Sequence, residues 1–384
     1  MATKNFDIII AGAGLSGLSL AYKLALGNYS GSVAIVDVDF IPKNDKTWCF
    51  WANVEAPFSD IISKQWHSIS LTALDFKATR DLTSYTYNAI KSEDFKTFVL
   101  NELQKHPNFE LIEASVERLS YQNNKSALTT TKGEEYSAEY IFQSLFKDPR
   151  LEDAKIKYPL IQHFVGLEVQ VNNPAFDDTT IKFMDFDETW TDGVAFMYVL
   201  PFSKTTALFE YTIFSENIEK ELLYEERIHS YLSKHYGLNS ADYQIIRKEK
   251  GQIPMQDLPY TPWYAKKIMN LGLVGGLAKP SSGYAFMRIQ NHIEKLANSL
   301  ILGNIPEPPT RSKRQFRAYD LLLLHILANS TEDSLRVFRS LFENNSIEEV
   351  FRFLDEETNF YQDLKIMNSI PYLPFLKAIA KNIF

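Results

Sequence analysis

A single cysteine in 384 residues leaves Cys49 without an intramolecular partner. That excludes an internally disulfide-bonded scaffold and fits a reducing compartment. Uninterrupted apolar runs of about eighteen residues are missing, so no membrane-spanning helix is expected. The residues ahead of Asp7 read only MATKNF, and no cleavable leader is expected there. Basic charge is also scarce: 40 Lys and Arg stand against 48 Asp and Glu, a formal net charge of −8. Nucleic acid is therefore not expected as a partner, because phosphate binding needs a basic face. The seven histidines are scattered without ligand spacing, so no metal site is expected. Low complexity is ruled out too, since 15 glycines and 16 prolines are ordinary for this length.

What is present is apolar bulk, 45% hydrophobic residues, enough for one large core or two that share an interface. The N-terminal stretch FDIIIAGAGLSGLSLAYKLA shows how the core begins. Phe6 to Ala11 is continuously apolar, as a strand buried on both faces must be. Gly12, Gly14 and Gly17 follow in the spacing G-x-G-x-x-G, and Leu15 to Leu26 reads as a helix. Such a turn lets backbone approach a pyrophosphate, while the helix N-terminus supplies amide donors and the positive end of its dipole. SVAIVDVD then gives a second strand ending in acid, and Asp37 stands where a carboxylate accepts from ribose hydroxyls. The unit predicts a dinucleotide. An acid at the ribose position disfavours NADP without separating NAD from FAD, and the motif's place at the start of a long chain favours FAD.

Ser92 reads as the cap of a helix over SEDFKTFVLNELQKH. From Pro159 to Ile246 four strands follow in series without helices between them: HFVGLEVQV, TTIKFMDF, VAFMYVLPF and TALFEYTIF. That pattern predicts an antiparallel sheet inserted into the first domain. The expected division is a discontinuous dinucleotide domain over 1–158 and 247–305, a sheet domain over 159–246, and a helical region over 306–384.

Further pieces carry a resemblance: DKTWCFW, YTYNAIKSEDF, YIFQSLF, MDFDETWTDGVAFMYVLPF, ALFEYTIFS, GQIPMQDLPY, GGLAKPSSGYAFMRIQ and VFRFLDEETNF. With the glycine motif they cover almost the whole chain, which resembles the flavin-dependent lycopene cyclases of the bacterial β-cyclase type. The resemblance implies an α/β fold: a Rossmann-like FAD-binding domain of the glutathione-reductase/hydroxylase kind, with an inserted antiparallel-sheet substrate domain and a helical C-terminus. It implies reduced FAD as cofactor, NAD(P)H as the reductant that keeps it reduced, and lycopene as substrate. The reaction implied is acid-initiated ring closure without net redox.

Glu210, in ALFEYTIFS, is the leading catalytic candidate: apolar neighbours would desolvate its carboxyl and keep it protonated. Alternation alone equally allows a surface carboxylate on an edge strand, and the resemblance, whose acidic motif falls here, implies the catalytic role. Asp185, in KFMDF, is the second, against a structural role in the following turn. The family commonly has a basic residue two places later, where this chain has Asp187. Cofactor contacts are expected from Gly12, Gly14, Leu15, Ser16, Gly17 and Asp37. A second set is expected where Gly275 and Gly276 end a strand and Pro280, Ser282, Gly283 and Tyr284 enter a helix, with Lys279 near phosphate or the flavin ring. The Gly-Gly pair departs from the Gly-Asp of many flavin hydroxylases, and Ser282 stands for the threonine usual among cyclases. Trp48, Phe50 and Trp51 are candidates for lining a polyene tunnel, against an ordinary core role. Cys49 is not expected to act as a nucleophile, and the acids of FLDEET read as a solvated helix end. IPYLPFLKAIAKNIF mixes aromatics with lysines like an interfacial anchor, against an ordinary core-facing terminal helix, and a cytoplasmic protein peripherally attached to the membrane is expected. Competing readings are a flavin monooxygenase or isoprenoid reductase, and a carotenoid carrier that retains FAD.

Overall fold

A computed structural model describes residues 4–53, 55–122, 124–186 and 193–383. Asp187 and most of the ETWTDG turn lie outside the described residues.

The chain opens with β1 (Lys4–Ala11), α1 (Leu15–Leu26) and β2 (Val33–Asp37), with β2 parallel to β1. Five strands follow: β3 (Thr47–Ala52), β4 (Lys64–Trp66), β5 (Ser68–Ala73), β6 (Phe76–Asp81) and β7 (Thr86–Lys91). After α2 (Ser92–Leu103) come β8 (Phe109–Glu113), β9 (Val116–Gln122), β10 (Lys125–Thr130) and β11 (Glu135–Gln143). The long strands are β12 (Leu160–Val171), β13 (Thr180–Asp185), β14 (Val194–Pro201) and β15 (Thr206–Ser215). Then come α3 (Glu221–Tyr236), β16 (Tyr243–Met255), β17 (Trp263–Ala265), β18 (Ile268–Asn270) and α4 (Phe286–Ile301). The chain closes with α5 (Arg314–Asn329), α6 (Thr331–Asn344), α7 (Ile347–Leu354), α8 (Phe360–Ser369) and α9 (Tyr372–Ile383).

The first sheet runs β17-β18-β11-β1-β2-β8, with β9 and β10 joined through β11. Ile8 and Ile10 share a core with Leu18, Leu24, Phe95 and Ile293, so α1, α2 and α4 cover one face of it. The second sheet runs β16-β12-β15-β14-β13-β5-β6. One face packs on α3 through Tyr211, Phe209 and Ile228. The other meets the helical C-terminal region, where Phe183 and Phe196 share a core with Phe338 and Phe351.

Two expectations need adjusting. The second sheet takes in more chain than residues 159–246: β5 and β6 come from the segment ahead of it, and β16 runs on to Met255. The pairing of β5 with β13 is parallel, which alternation within either segment does not reveal. Ser92 is the first residue of α2 rather than its cap; its hydroxyl accepts from the Asp45 and Lys46 amides and donates to the Lys43 carbonyl at 2.7 Å. That ties the loop before β3 to the helix.

Candidate active site

The glycine turn is built for close approach. Gly12 has φ of +107°, a region L-residues rarely adopt, and a Cβ at Gly17 would overlap the Gly12 carbonyl oxygen. Gly14 differs: an added Cβ would meet nothing within 4 Å, because the turn there faces open space. Asp37 at the end of β2 accepts from the Ala13 amide, and from the Val38 amide at 2.6 Å. Its carboxylate therefore braces the turn as well as facing the space beyond it.

That space is a cavity of about 660 Å³, and it is shared. Gly14, Leu15, Ser16 and Asp37 line one part, while Ser282, Gly283, Tyr284, Tyr198 and Glu210 line another. Ser282 Oγ and Gln162 Oε1, both on the wall, are buried without a hydrogen-bond partner. Buried polar atoms are normally satisfied, so orphans on a cavity wall mark where a polar ligand fits. The open turn, the helix N-terminus and these two atoms together fit a dinucleotide.

Glu210 reaches the cavity through strand register. In β15 it pairs with Tyr198 of β14 and Gly166 of β12. Side chains alternate along a strand, so Phe209 and Tyr211 face α3 while Glu210 faces the cavity. The carboxyl touches the cavity but is removed from bulk water, and this burial pushes its pKa well above the ordinary range. The neighbouring Glu249 pushes in the same direction, while Thr212 Oγ1, donating at 3.0 Å, lowers it in part. The shift favours the protonated acid, the form that has a proton to give. Tyr198 and Tyr284 share a 2.8 Å hydrogen bond beside it, and burial raises both phenols, so they remain protonated.

Several expected residues converge on this cavity: Gly14, Leu15, Ser16, Asp37, Trp48, Ser282, Gly283, Tyr284 and Glu210. Gly12 and Gly17 shape the turn from behind. Others lie elsewhere. Asp185 pairs with Met197, so it faces α3 on the side of the sheet away from Glu210. There it accepts from Tyr231 Oη at 2.5 Å and Lys182 Nζ at 3.4 Å. Gly275 and Gly276 belong to a 3-10 turn after β18, and α4 begins only at Phe286, so Pro280 and Gly283 lie in a loop rather than a helix. Lys279 is buried against Asp320 at 3.0 Å and Glu356 at 3.2 Å, an internal ion cluster outside the cavity wall. Phe50 stacks on Phe286 at 4.2 Å and Trp51 on Phe351 at 4.4 Å, both as core. FLDEET is not a solvated end: Asp355 accepts from Trp51 Nε1 at 2.6 Å, and Glu356 accepts from Arg288 Nη1 and Ser312 Oγ. Burial raises the Cys49 thiol well above its usual range, which leaves it unionised and poorly nucleophilic.

Glu249, Tyr198 and Gln162 belong to the site but drew no attention in the sequence. Glu249 sits in RKEKGQ, a charge-dense stretch that reads as a solvated face, and only its pairing with β12 shows that Arg247 and Glu249 turn inward.

This joining of a dinucleotide sheet to a second, mainly antiparallel sheet is the fold of FAD-dependent oxidoreductases and halogenases. A geranylgeranyl bacteriochlorophyll reductase-like protein from Thermoplasma acidophilum superposes with a TM-score of 0.60 at 13% identity, covering 99% of this chain and 96% of that one. p-Nitrophenol 4-monooxygenase from Pseudomonas putida gives 0.58 at 13% identity, with 98% of each chain covered. A halogenase solved with phloroglucinol and FAD gives 0.58 at 13% identity, covering 91% of this chain and 82% of that one. Comparison with curated protein sequences returns no match. The profile of the family described as lycopene cyclase protein matches residues 7–380, and the chain belongs to that family.

Proposed function

We propose that this protein is a lycopene β-cyclase that closes the ends of the linear carotene into β-rings, with reduced FAD bound and no net transfer of electrons. The observation that carries the reading is the position of Glu210: a desolvated carboxyl, its pKa raised by burial, opens onto the same cavity as the glycine turn. Family membership supports the substrate class.

The amides at the start of α1 and the Gly14 opening are suited to the pyrophosphate, Asp37 to ribose, and Ser282 with Gln162 to the polar edge of the ring system. Reduced FAD held there, and kept reduced by NAD(P)H, supplies negative charge near the reacting carbons. Glu210 gives its proton to C2 of the terminal C1=C2 bond, leaving a cation at C1. The C5=C6 bond attacks C1 and closes the ring, and loss of the C6 proton leaves the β-ring. Trp48, Tyr198, Tyr284 and Phe286 on the cavity wall offer ring faces to a migrating cation and exclude water that would quench it.

The test uses FAD-loaded protein, lycopene in liposomes and NADPH without oxygen, with products separated by chromatography. Cyclic carotenes are expected, with reductant consumed only to prime the flavin. Stoichiometric NADPH consumption together with a need for oxygen points instead to a monooxygenase. Glu210→Gln should retain FAD and lose ring closure at least about 100-fold, the scale of a removed general acid. Normal rings from that variant remove Glu210 from the mechanism.

A further inference from the structure

Glu210 has a partner that the reaction scheme above leaves unused. Register places Gly166 of β12 opposite Glu210 on one side and opposite Glu249 of β16 on the other. Residues two strands apart are separated by roughly 10 Å across a sheet, too far for carboxyls that stand upright. Gly166 removes the obstacle between them: a Cβ there would meet Glu249 Cγ and Leu208 Cδ1, each at 3.0 Å. Glu249 leans into that gap, so that its carboxyl and that of Glu210 line the same part of the cavity as neighbours. Two carboxylates offer each other only lone pairs and repel, so neighbouring carboxyls favour holding one proton between them.

The far side of Glu249 fixes where that proton stays. Glu249 Oε2 accepts from Arg247 Nη1 and, at 2.8 Å, from Thr47 Oγ1. Arg247 Nε also donates to Glu168 Oε2 at 2.6 Å, and Lys91 Nζ donates to Glu168 Oε1 at 2.8 Å. Glu168 and Glu249 are both buried. The group therefore holds two cations, Lys91 and Arg247, against three carboxyls, and a single proton makes it neutral. Burial raises the Glu249 carboxyl, but Arg247 and Thr47 pull against that rise, while Glu210 has no cation in contact among the described residues. The geometry therefore favours the charge on Glu249 and the proton on Glu210.

We propose that Glu249 is the positioning residue of the acid: ionised and pinned by Arg247, it shares the single proton of a carboxyl pair and holds it on Glu210, facing the cavity. The proposal rests on the reading of Glu210 as proton donor. When that proton goes to carbon, two anions face each other beside a carbocation. The pair is then a stronger base than a lone carboxylate, and it regains its proton from the ring carbon at the end of the cycle.

The test is run on the full chain loaded with FAD. Infrared spectra against pH follow the C=O band of the protonated carboxyl, assigned by its loss in Glu210→Gln, and ring formation is measured in parallel. Glu249→Gln removes the repelling charge and leaves Arg247 unmatched, so Glu210 ionises more easily. Its titration midpoint should fall by about one to two pH units, the alkaline limb of kcat should move with it, and KM for lycopene should hold. Activity lost at neutral pH should return on acidification, and Glu249→Asp should restore part of the shift. Gly166→Ala displaces Glu249 without changing charge and should move the midpoint the same way. An unmoved midpoint in both Glu249→Gln and Gly166→Ala overturns the pairing while Glu210 remains the donor. If Glu210→Gln still forms rings, the donor assignment itself fails, which is a separate result.

Discussion

Asp355 receives the Trp51 indole N–H at 2.6 Å, and the loss of water around it pushes its pKa up to about 6. A carboxyl whose folded pKa lies above its unfolded value favours folding at low pH, and that contribution is lost as pH rises through the folded pKa. Asn at this position cannot ionise and still accepts from the indole. Between pH 4.5 and 8 the stability of Asp355→Asn relative to the native protein should therefore rise by about 2 kcal/mol, read from urea denaturation at the two pH values. A constant difference would place Asp355 in a wetter setting. The same residue shows where sequence reading stops. Three acids in FLDEET look like a solvated end, and only the arrival of Trp51 and Arg288 from distant segments draws Asp355 and Glu356 inward, while Glu357 stays exposed. Glu210 was legible because its apolar neighbours announce a buried strand; Glu249 was not, since its immediate neighbours are charged and its partners lie on other strands.

The glycine turn is the element whose sequence and geometry agree most closely, with α1 spanning Leu15–Leu26 as its periodicity predicts. Its glycines nonetheless do different work, and substitution should separate them. Gly14 has φ of −84°, which any residue adopts, and a free side towards the cavity. Gly14→Ala should change the melting temperature little while weakening FAD binding, because the new methyl enters the space proposed for phosphate. Gly17→Ala forces α1 away from β1 and should cost about 1–3 kcal/mol of stability together with the cofactor. Thermal melts paired with FAD titration check both, and equal behaviour of the two variants would mean that the cofactor sits elsewhere. The loop from Gly275 to Gly283 agreed less well. Its glycines and proline mark a change of direction, but whether such residues make a 3-10 turn, a loop or a helix entry depends on contacts such as Ser281 with Asp320.

At the scale of the whole molecule, one surface stands out. The outer faces of α8 and α9 expose Phe360, Tyr361, Leu364, Tyr372, Leu373, Leu376 and Ile379. The inner face of α9 is packed, with Ala378 buried against Ile326 and Val337. Lys377 and Lys381 are the charged residues of α9, which carries no acid of its own, and Lys377 reaches Asp333 of α6 only at 3.9 Å, so the face suits an anionic bilayer. We propose that it rests on lipid. Among the described residues no helix is long and apolar enough to cross a membrane. Leu373→Glu with Leu376→Glu should abolish flotation with anionic liposomes while leaving the melting temperature within a few degrees. Unchanged flotation removes this surface as the contact. The composition of the last helix was readable in sequence, but which residues point outward required α5 to be in place beneath it.

The hairpin of β5 and β6 leaves the first part of the chain to complete the edge of the second sheet, and β13 would otherwise lie bare. The two bodies are thus stitched together rather than strung in sequence. Neither sheet is complete in one uninterrupted stretch of chain. The cavity that both sheets line is accordingly walled by one continuously braced body.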